Sequence, residues 1–205
     1  MTTDLALAVP LLLLALGLRP WRALDASGPP WPWLAWCAVM PLMWGADRYA
    51  AMPIVQPLSG AALLVMLAGW PMAMLCLLPV AAVTGYMGGL DGAASLHRLV
   101  WLGLVPGSLA LSLGLAVRRW LPAHLFVYIL GRGFFVTLLA TTLAGALALL
   151  GTAAPVGTDW DDLLLARGLA ASGEAFLTGM LVAIFVAFRP HWLATYSDRL
   201  YLPAR

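Results

Sequence analysis

Two charged residues lie inside apolar stretches that could sit in a lipid bilayer, and their types and positions make them the first candidates for chemistry. Glu174 lies in AASGEAFLTGMLVAIFVAF, and Arg132 lies in LFVYILGRGFFVTLLA. A charge in the apolar core of a membrane is costly, so it faces protein or water and commonly serves a function. The candidate polar site within the membrane consists of these two charges and the hydroxyl groups near them in the sequence: Thr137, Ser172 and Thr178.

The positions of the two charges leave three arrangements open. At 1.5 Å per residue, Glu174 lies about 22 Å from the basic end of its helix, whereas Arg132 lies about 12 Å from the same membrane face. Helical side chains lean toward the N-terminus of their own helix, so these two lean apart in antiparallel helices. The alternatives are a direct ion pair, a shared polar pocket, or an Arg132 that reaches the interface while Glu174 binds a helix end.

Small residues recur at every fourth position beside each charge. They are Ala171, Ala175, Gly179 and Ala183 beside Glu174, and Gly133, Thr137, Thr141 and Gly145 beside Arg132. Small residues at this spacing let two helices approach closely in lipid. The pattern predicts a tight helix pair whose polar groups are either simply satisfied or used by a permeant or a partner.

Other residue patterns give no indication of catalysis. His97, His124 and His191 have no second ligand nearby in the sequence, and His97 alone is kept as a candidate metal ligand. Cys37 and Cys76 lie in apolar runs without ligand spacing, which predicts packing residues. The chain has no HExxH, GxSxG or Walker pattern. We therefore expect neither an enzyme nor a resident cofactor, and any ATP hydrolysis would come from another subunit.

The composition predicts an all-α polytopic membrane protein that forms a single domain over residues 1–205. Hydrophobic residues make up 63% of the chain and charged residues only 10%, whereas soluble domains carry about 25% charged residues. A net charge of +2 gives no reason to expect nucleic acid as a partner. The lipid bilayer, here that of the bacterial inner membrane, is the expected surrounding.

About seven segments could cross the bilayer, because a spanning helix needs roughly 20 apolar residues and fewer where neighbours cover it. They run approximately from Leu5 to Leu18, Trp31 to Gly45, Ile54 to Ala68, Met72 to Met87, Leu99 to Val117, Leu125 to Leu150 and Ala170 to Phe188. A polar loop, GTAAPVGTDWDD, is expected before the last segment. Tryptophans near the segment ends, Trp101 among them, predict an interfacial aromatic belt.

The arginines predict the orientation of the chain. With the N-terminus outside, seven arginines fall in inner loops and three, including Arg167, in outer loops. Cytoplasmic loops carry the excess of positive charge. The expectation is an outside N-terminus and a cytoplasmic C-terminus.

Three stretches resemble a proteobacterial branch of the energy-coupling-factor permeases, the CbiM/NikM-like M components of cobalt and nickel uptake. They are LGLVPGSLALSLGLAV (102–117), LPAHLFVYILGRGFFVTLLA (121–140) and GEAFLTGMLVAIFVAFRPHWLATYSDRLYL (173–202). The resemblance covers most of the chain from about Leu58 and is most specific in the last 35 residues. It implies a seven-helix permease that works with separate ATPase and coupling subunits.

The metal ligands that the resemblance implies are replaced in this chain. In that family the N-terminal amine and a histidine directly after the initiator methionine bind the metal, with further histidines deeper in. Here Thr2 follows Met1, and Pro57 and Arg132 stand where the pattern has a histidine and a small amide such as Asn. Glu174 matches the pattern of the branch.

Two functions follow as hypotheses. The first is a permease-like subunit of an energy-coupling-factor-type transporter for a transition-metal ion or another small solute. It predicts a water-accessible cavity that reaches Glu174 from outside. The second is a non-transporting scaffold or assembly subunit of a larger membrane complex that kept the permease fold and lost the metal site.

Overall fold

The computed structural model describes residues 1–21, 30–49, 56–150 and 159–201, and every regular element within these ranges is a helix. The helices are α1 (Thr2–Gly17), α2 (Trp31–Trp44), α3 (Ala46–Tyr49), α4 (Ala61–Ala68), α5 (Trp70–Gly88), α6 (Gly92–Trp120), α7 (Val127–Leu149), α8 (Trp160–Phe188) and α9 (Asp198–Tyr201). Wider π-helical segments occupy Leu99–Leu104 in α6 and Val127–Phe135 in α7. A 3₁₀ turn, Pro190–Trp192, follows α8.

The all-helical membrane architecture is confirmed at the level of helix length and composition. In the described ranges, α5, α6, α7 and α8 are long and apolar enough to cross a bilayer, and α1 is apolar but shorter. Their outer faces expose large apolar side chains such as Leu143, Phe176 and Ile184, which lipid can cover. Seven crossings stay a prediction, because α2 has only 14 residues and α4 only 8.

Two of the long helices, α6 and α8, begin earlier than their apolar runs. Helix α8 begins at Trp160 rather than near Ala170, so Asp161 and Asp162 belong to its first turn and not to a loop. Carboxylates near a helix N-terminus are favourable because they face the positive end of the helix dipole. Helix α6 likewise begins at Gly92 rather than Leu99, where the Asp91 side chain accepts a hydrogen bond from the Ala94 amide at 2.7 Å.

The third predicted segment is helical only in its second half. Residues 54 and 55 lie outside the described residues, residues 56–60 are non-helical, and α4 begins after Gly60. Gly60 has φ 69° and Gly69 has φ 77°, and such positive values are readily adopted only by glycine. Helix α4 is therefore a half-helix between two glycine bends, and its first seven residues are all buried.

Three apolar clusters include residues of this half-helix. The largest joins α1, α2, α4, α5 and α6 through residues such as Trp44, Leu64 and Met74. The second joins α4 to α7, α8 and the C-terminal tail through Leu63 and Val182, among others. The third joins α4 to α6 and α7. The predicted close approach of α7 and α8 is present, since a Cβ on Gly133 would lie 3.4 Å from the Gly179 Cα.

Candidate functional site

Glu174 binds the backbone at the start of α4. Its two carboxylate oxygens accept hydrogen bonds from the amides of Ser59, at 2.6 Å, and Gly60, at 2.9 Å. The side chain is 2% exposed. The first amides of a helix have no partner within the helix and lie at the positive end of its dipole. A carboxylate here makes charge-assisted bonds, which are stronger than neutral ones.

The bend that receives Glu174 is satisfied on its other side by two indole groups of α2. Trp44 donates to the Ser59 carbonyl at 2.7 Å, and Trp36 donates to the Gly60 carbonyl at 2.8 Å. The Ser59 hydroxyl accepts from the Ala61 amide at 3.1 Å. Irregular backbone at membrane depth is tolerated only where protein or water supplies such partners. Here the protein itself supplies the hydrogen-bond partners of the Ser59 and Gly60 backbone groups.

The opposite end of α4 is closed by the C-terminal tail. The amides of Ala194 and Thr195 donate to the carbonyls of Leu67 and Met66 at 3.4 and 3.3 Å. The Thr195 hydroxyl also lies 3.4 Å from the Met66 carbonyl. Unpaired carbonyls at a helix C-terminus need such donors. The last helix and the tail together thus hold both ends of the half-helix, which the sequence did not reveal.

A small cavity of about 30 Å³ lies beside the Glu174 carboxylate. This inner cavity has room for about one or two water molecules. Its polar lining includes Gln56, Thr141 and Arg167, and its apolar lining includes Trp101 and Pro106.

Arg167 is a residue of the inner cavity that sequence reasoning assigned to an outer loop. Its Nε is buried and has no hydrogen-bond partner among the described residues, and its Cδ lies 3.1 Å from the position of a Cβ on Gly145. Arg167 precedes Glu174 by seven residues, about two helical turns, so both lie on one face of α8. A predicted helix that began before Arg167 would have placed Arg167 and Glu174 on the same face.

Arg132 and Glu174 do not form an ion pair. The Arg132 Nη1 donates to the Thr195 carbonyl at 3.5 Å, and its guanidinium lies 5.4 Å from the centre of the Tyr128 ring. The side chain is 9% exposed and packs against Gly114 of α6. Of the three open arrangements, the geometry matches the third in its first half, since Glu174 binds a helix end. That Arg132 reaches the membrane interface stays a prediction.

The predicted hydroxyl groups do not gather around Glu174. Ser172 is exposed and donates to the Gly168 carbonyl of its own helix at 2.8 Å, so its place in the polar site was wrong. Thr137 is buried and donates to the Gly133 carbonyl at 2.8 Å. Thr178 is buried one turn after Glu174, and its hydroxyl has no partner within the described ranges. Helical hydroxyls commonly bond a carbonyl one turn earlier.

A wider opening, the vestibule, lies beyond the inner cavity. It measures about 520 Å³ and its lining includes Asp4, Arg48, His97, Arg98 and Trp101. Asp4 is 4% exposed. Its Oδ1 accepts from the Trp101 indole at 2.9 Å and lies 3.3 Å from the His97 Nδ1. Asp4 is thus a second functional candidate that the sequence analysis missed, because its partners lie more than 90 residues away.

Ion pairs partly neutralise the charged groups that line the vestibule. Arg98 makes a two-fold ion pair with Asp47, at 2.6 and 3.0 Å, and also donates to the Trp44 carbonyl. The Met1 amine lies 3.4 Å from Asp4. No group of three or more His, Cys, Asp or Glu side chains in the described ranges could share a metal ion. His97 and Asp4 form a pair only.

Trp101 lines both the vestibule and the inner cavity. Its side chain is half-buried, and the interfacial aromatic belt stays a prediction. Comparisons of the chain with protein-family models, with curated proteins and with solved structures found no match.

Proposed function

We propose that this chain is the membrane permease-like subunit of an energy-coupling-factor-type transporter, working with separate ATPase and coupling subunits. Its solute is a transition-metal ion of the cobalt or nickel kind or another small polar solute. The observation that carries the proposal is Trp101, because it borders both the vestibule and the inner cavity at Glu174. The two cavities thereby outline a route from one end of the bundle toward a buried acid.

The broken helix supports the same proposal. Discontinuous helices with unwound backbone beside a central cavity are a recurring feature of secondary transporters. Here the non-helical residues 56–60 contribute Gln56, Pro57 and Ser59 to the cavity wall, directly before the half-helix α4. A polar cavity at a helix break is a place where a solute can replace its hydration shell.

The ligands best suited to a transported metal lie in the vestibule. The His97 Nδ1 and Asp4 Oδ1 are 3.3 Å apart, which suits two ligands that each bind one ion at about 2.1 Å. Imidazole and carboxylate are ligands for divalent first-row metals. Arg167 beside Glu174 adds a positive charge to the inner cavity, and like charges repel there. We therefore place metal capture at His97 and Asp4 rather than at Glu174.

Metal accumulation in cells that express the chain with its ATPase and coupling subunits tests this function. Elemental mass spectrometry should show cobalt or nickel accumulation that depends on ATP hydrolysis. The change His97→Ala should lower it by at least about tenfold, because loss of even an outer partner of a metal ligand typically costs about 10–100-fold. His124→Ala and His191→Ala are matched controls, since both histidines are exposed and lie outside the vestibule. Equal accumulation with an inactive ATPase would contradict metal transport.

A second function, that of a non-transporting scaffold or assembly subunit, is favoured by one observation. Each oxygen of the Glu174 carboxylate already accepts a backbone hydrogen bond, from Ser59 or from Gly60, and the cavity beside it holds only about two waters. Such a site needs no solute to be stable.

Native pull-down with mass spectrometry separates the two functions: an ATPase and a coupling subunit support transport, and a different membrane complex supports the scaffold.

A further inference from the structure

A third cavity lies at the end of the bundle opposite the vestibule, and it contains a buried arginine. This cavity, the Arg132 pocket, measures about 110 Å³ and is lined by Val117, Arg118, Leu121, Pro122, Ala123, Val127, Tyr128, Arg132, Leu200 and Tyr201. We propose that the Arg132 pocket binds a phosphate group, supplied by the headgroup of an acidic membrane lipid. The proposal is independent of the transport function.

The first step of the argument is an uncompensated charge. Arg132 is 91% buried, yet no carboxylate in the described ranges lies within 4.0 Å of it. Its polar contacts with described residues are one long hydrogen bond to the Thr195 carbonyl and the face of the Tyr128 ring. Buried charges are normally paired, because an isolated one loses its hydration without compensation. An anion in the adjoining cavity would supply the missing partner.

The second step is the chemistry of the lining. Arg118 also borders the pocket, so two arginines line one cavity. Guanidinium groups bind phosphate with two parallel hydrogen bonds, which makes arginine the preferred residue for this anion. About 10–15 Å³ of such volume holds one water molecule, so 110 Å³ accommodates a group of several heavy atoms.

The third step is the apolar surface beside the pocket, which favours a lipid over free phosphate. Leu121 and Leu200 line the pocket and are 48% and 47% exposed. Trp120, directly before Leu121, is 79% exposed. Acyl chains can cover such a rim, whereas inorganic phosphate gains nothing from it. Basic pockets beside membrane helices are known to bind acidic lipid headgroups.

Native mass spectrometry of the full-length chain in detergent tests the proposal directly. The protein is titrated separately with phosphatidylglycerol, with phosphatidylcholine and with inorganic phosphate. We expect phosphatidylglycerol to be retained in preference to phosphatidylcholine, and inorganic phosphate to bind only weakly. Binding of phosphate without preference for phosphatidylglycerol would assign a free phosphate to the pocket instead of a lipid. Retention of none of the three, or equal retention of both lipids, would overturn the proposal.

Substitutions localise the bound group. Arg118→Gln, at an exposed side chain that folding does not require, should weaken phosphatidylglycerol binding by about tenfold. Arg132→Gln should weaken it at least as much, and Arg132→Lys should retain part of it because the charge remains. The matched control is Arg119→Gln, since Arg119 is the exposed neighbour that does not line the pocket. An equal loss in the Arg119 variant would indicate a general surface charge effect and refute a specific pocket.

Discussion

At the scale of single residues, Glu174 performs the task of a helix cap across 115 residues of sequence. Local caps are usually Ser, Thr, Asp or Asn at the first position of the helix itself. Here the residue at that position is Gly60, whose φ of 69° permits the bend but offers no side chain. A distant carboxylate therefore accepts hydrogen bonds from both free amides. Because this carboxylate is buried, each of the two hydrogen bonds is important for folding.

Replacing Glu174 by Gln should lower the free energy of unfolding by about 3 kcal/mol. The Gln oxygen can accept a hydrogen bond from one of the two amides, but the Gln NH₂ group would then face the other amide, which is also a donor. Hydrogen bonds to charged groups contribute about 1.5–3 kcal/mol each. Thermal unfolding in detergent measures the change. The control on the same helix is Ser172→Ala, which removes only an exposed local bond. An unchanged unfolding temperature for Glu174→Gln would show that the carboxylate does not cap α4.

Replacing Gly60 by Ala should destabilise the protein by about 1–3 kcal/mol. Positive φ costs a residue with a Cβ about 1–2 kcal/mol, and the new Cβ would lie 3.3 Å from both the Met40 Cγ and the Trp36 Nε1. The matched variant Gly173→Ala has open space and an ordinary helical position. It should be neutral or slightly stabilising. Chemical unfolding measures the free energy of unfolding of both variants. If Gly60 does not adopt the positive φ in the folded protein, the two variants should be equally stable.

At the scale of helices, α7 and α8 depend on glycine for their close contact. A Cβ on Gly179 would lie 3.3 Å from the Phe134 Cβ, and a Cβ on Gly133 would lie 3.4 Å from the Gly179 Cα. This seam also sets the position of Glu174, because Ala175, Gly179 and Glu174 share the buried face of α8. The depth of the carboxylate thus follows from how closely the two helices approach.

The change Gly179→Leu should separate α7 from α8 and destabilise the protein by about 1–3 kcal/mol, the usual cost of overpacking. On the exposed face one position later, Met180→Leu should have little effect, since Met180 is 50% exposed. Thermal unfolding in detergent compares the two variants. Equal stability would argue against a tight glycine contact.

At the scale of the whole molecule, Asp4 near the N-terminus and Thr195 in the C-terminal tail lie at opposite ends of the bundle. Asp4 contacts His97 and Trp101 in the first turns of α6, whereas Thr195 contacts Met66 and Arg132 near the far end. With seven crossings, the positive-inside rule places the end with Arg118 and Arg119 in the cytoplasm.

Reporter fusions check this orientation. Green fluorescent protein fused after the C-terminus should fluoresce, and alkaline phosphatase fused there should be inactive. An alkaline phosphatase inserted at the Gly89–Asp91 turn should be active, because that turn precedes α6 on the vestibule side. The reverse pattern would contradict an outside N-terminus.

The sequence by itself determined the membrane class, the long apolar helices and the close α7–α8 seam. These features depend on composition and on local periodicity, which a single chain displays directly. It also identified Glu174 and Arg132 as charges that protein must bury. Helix starts such as Trp160 escaped prediction, because polar first turns extend a helix beyond its apolar run.

Only the tertiary structure decided what these charges contact. The Glu174 bonds to Ser59 and Gly60, the Asp4 bond to Trp101 and the closing of α4 by Thr195 all join residues more than 90 positions apart. No periodicity encodes such contacts, since they depend on which helices are neighbours and at what depth. The same packing closed the inner cavity that Arg167 and Glu174 line and left Arg132 in a separate pocket.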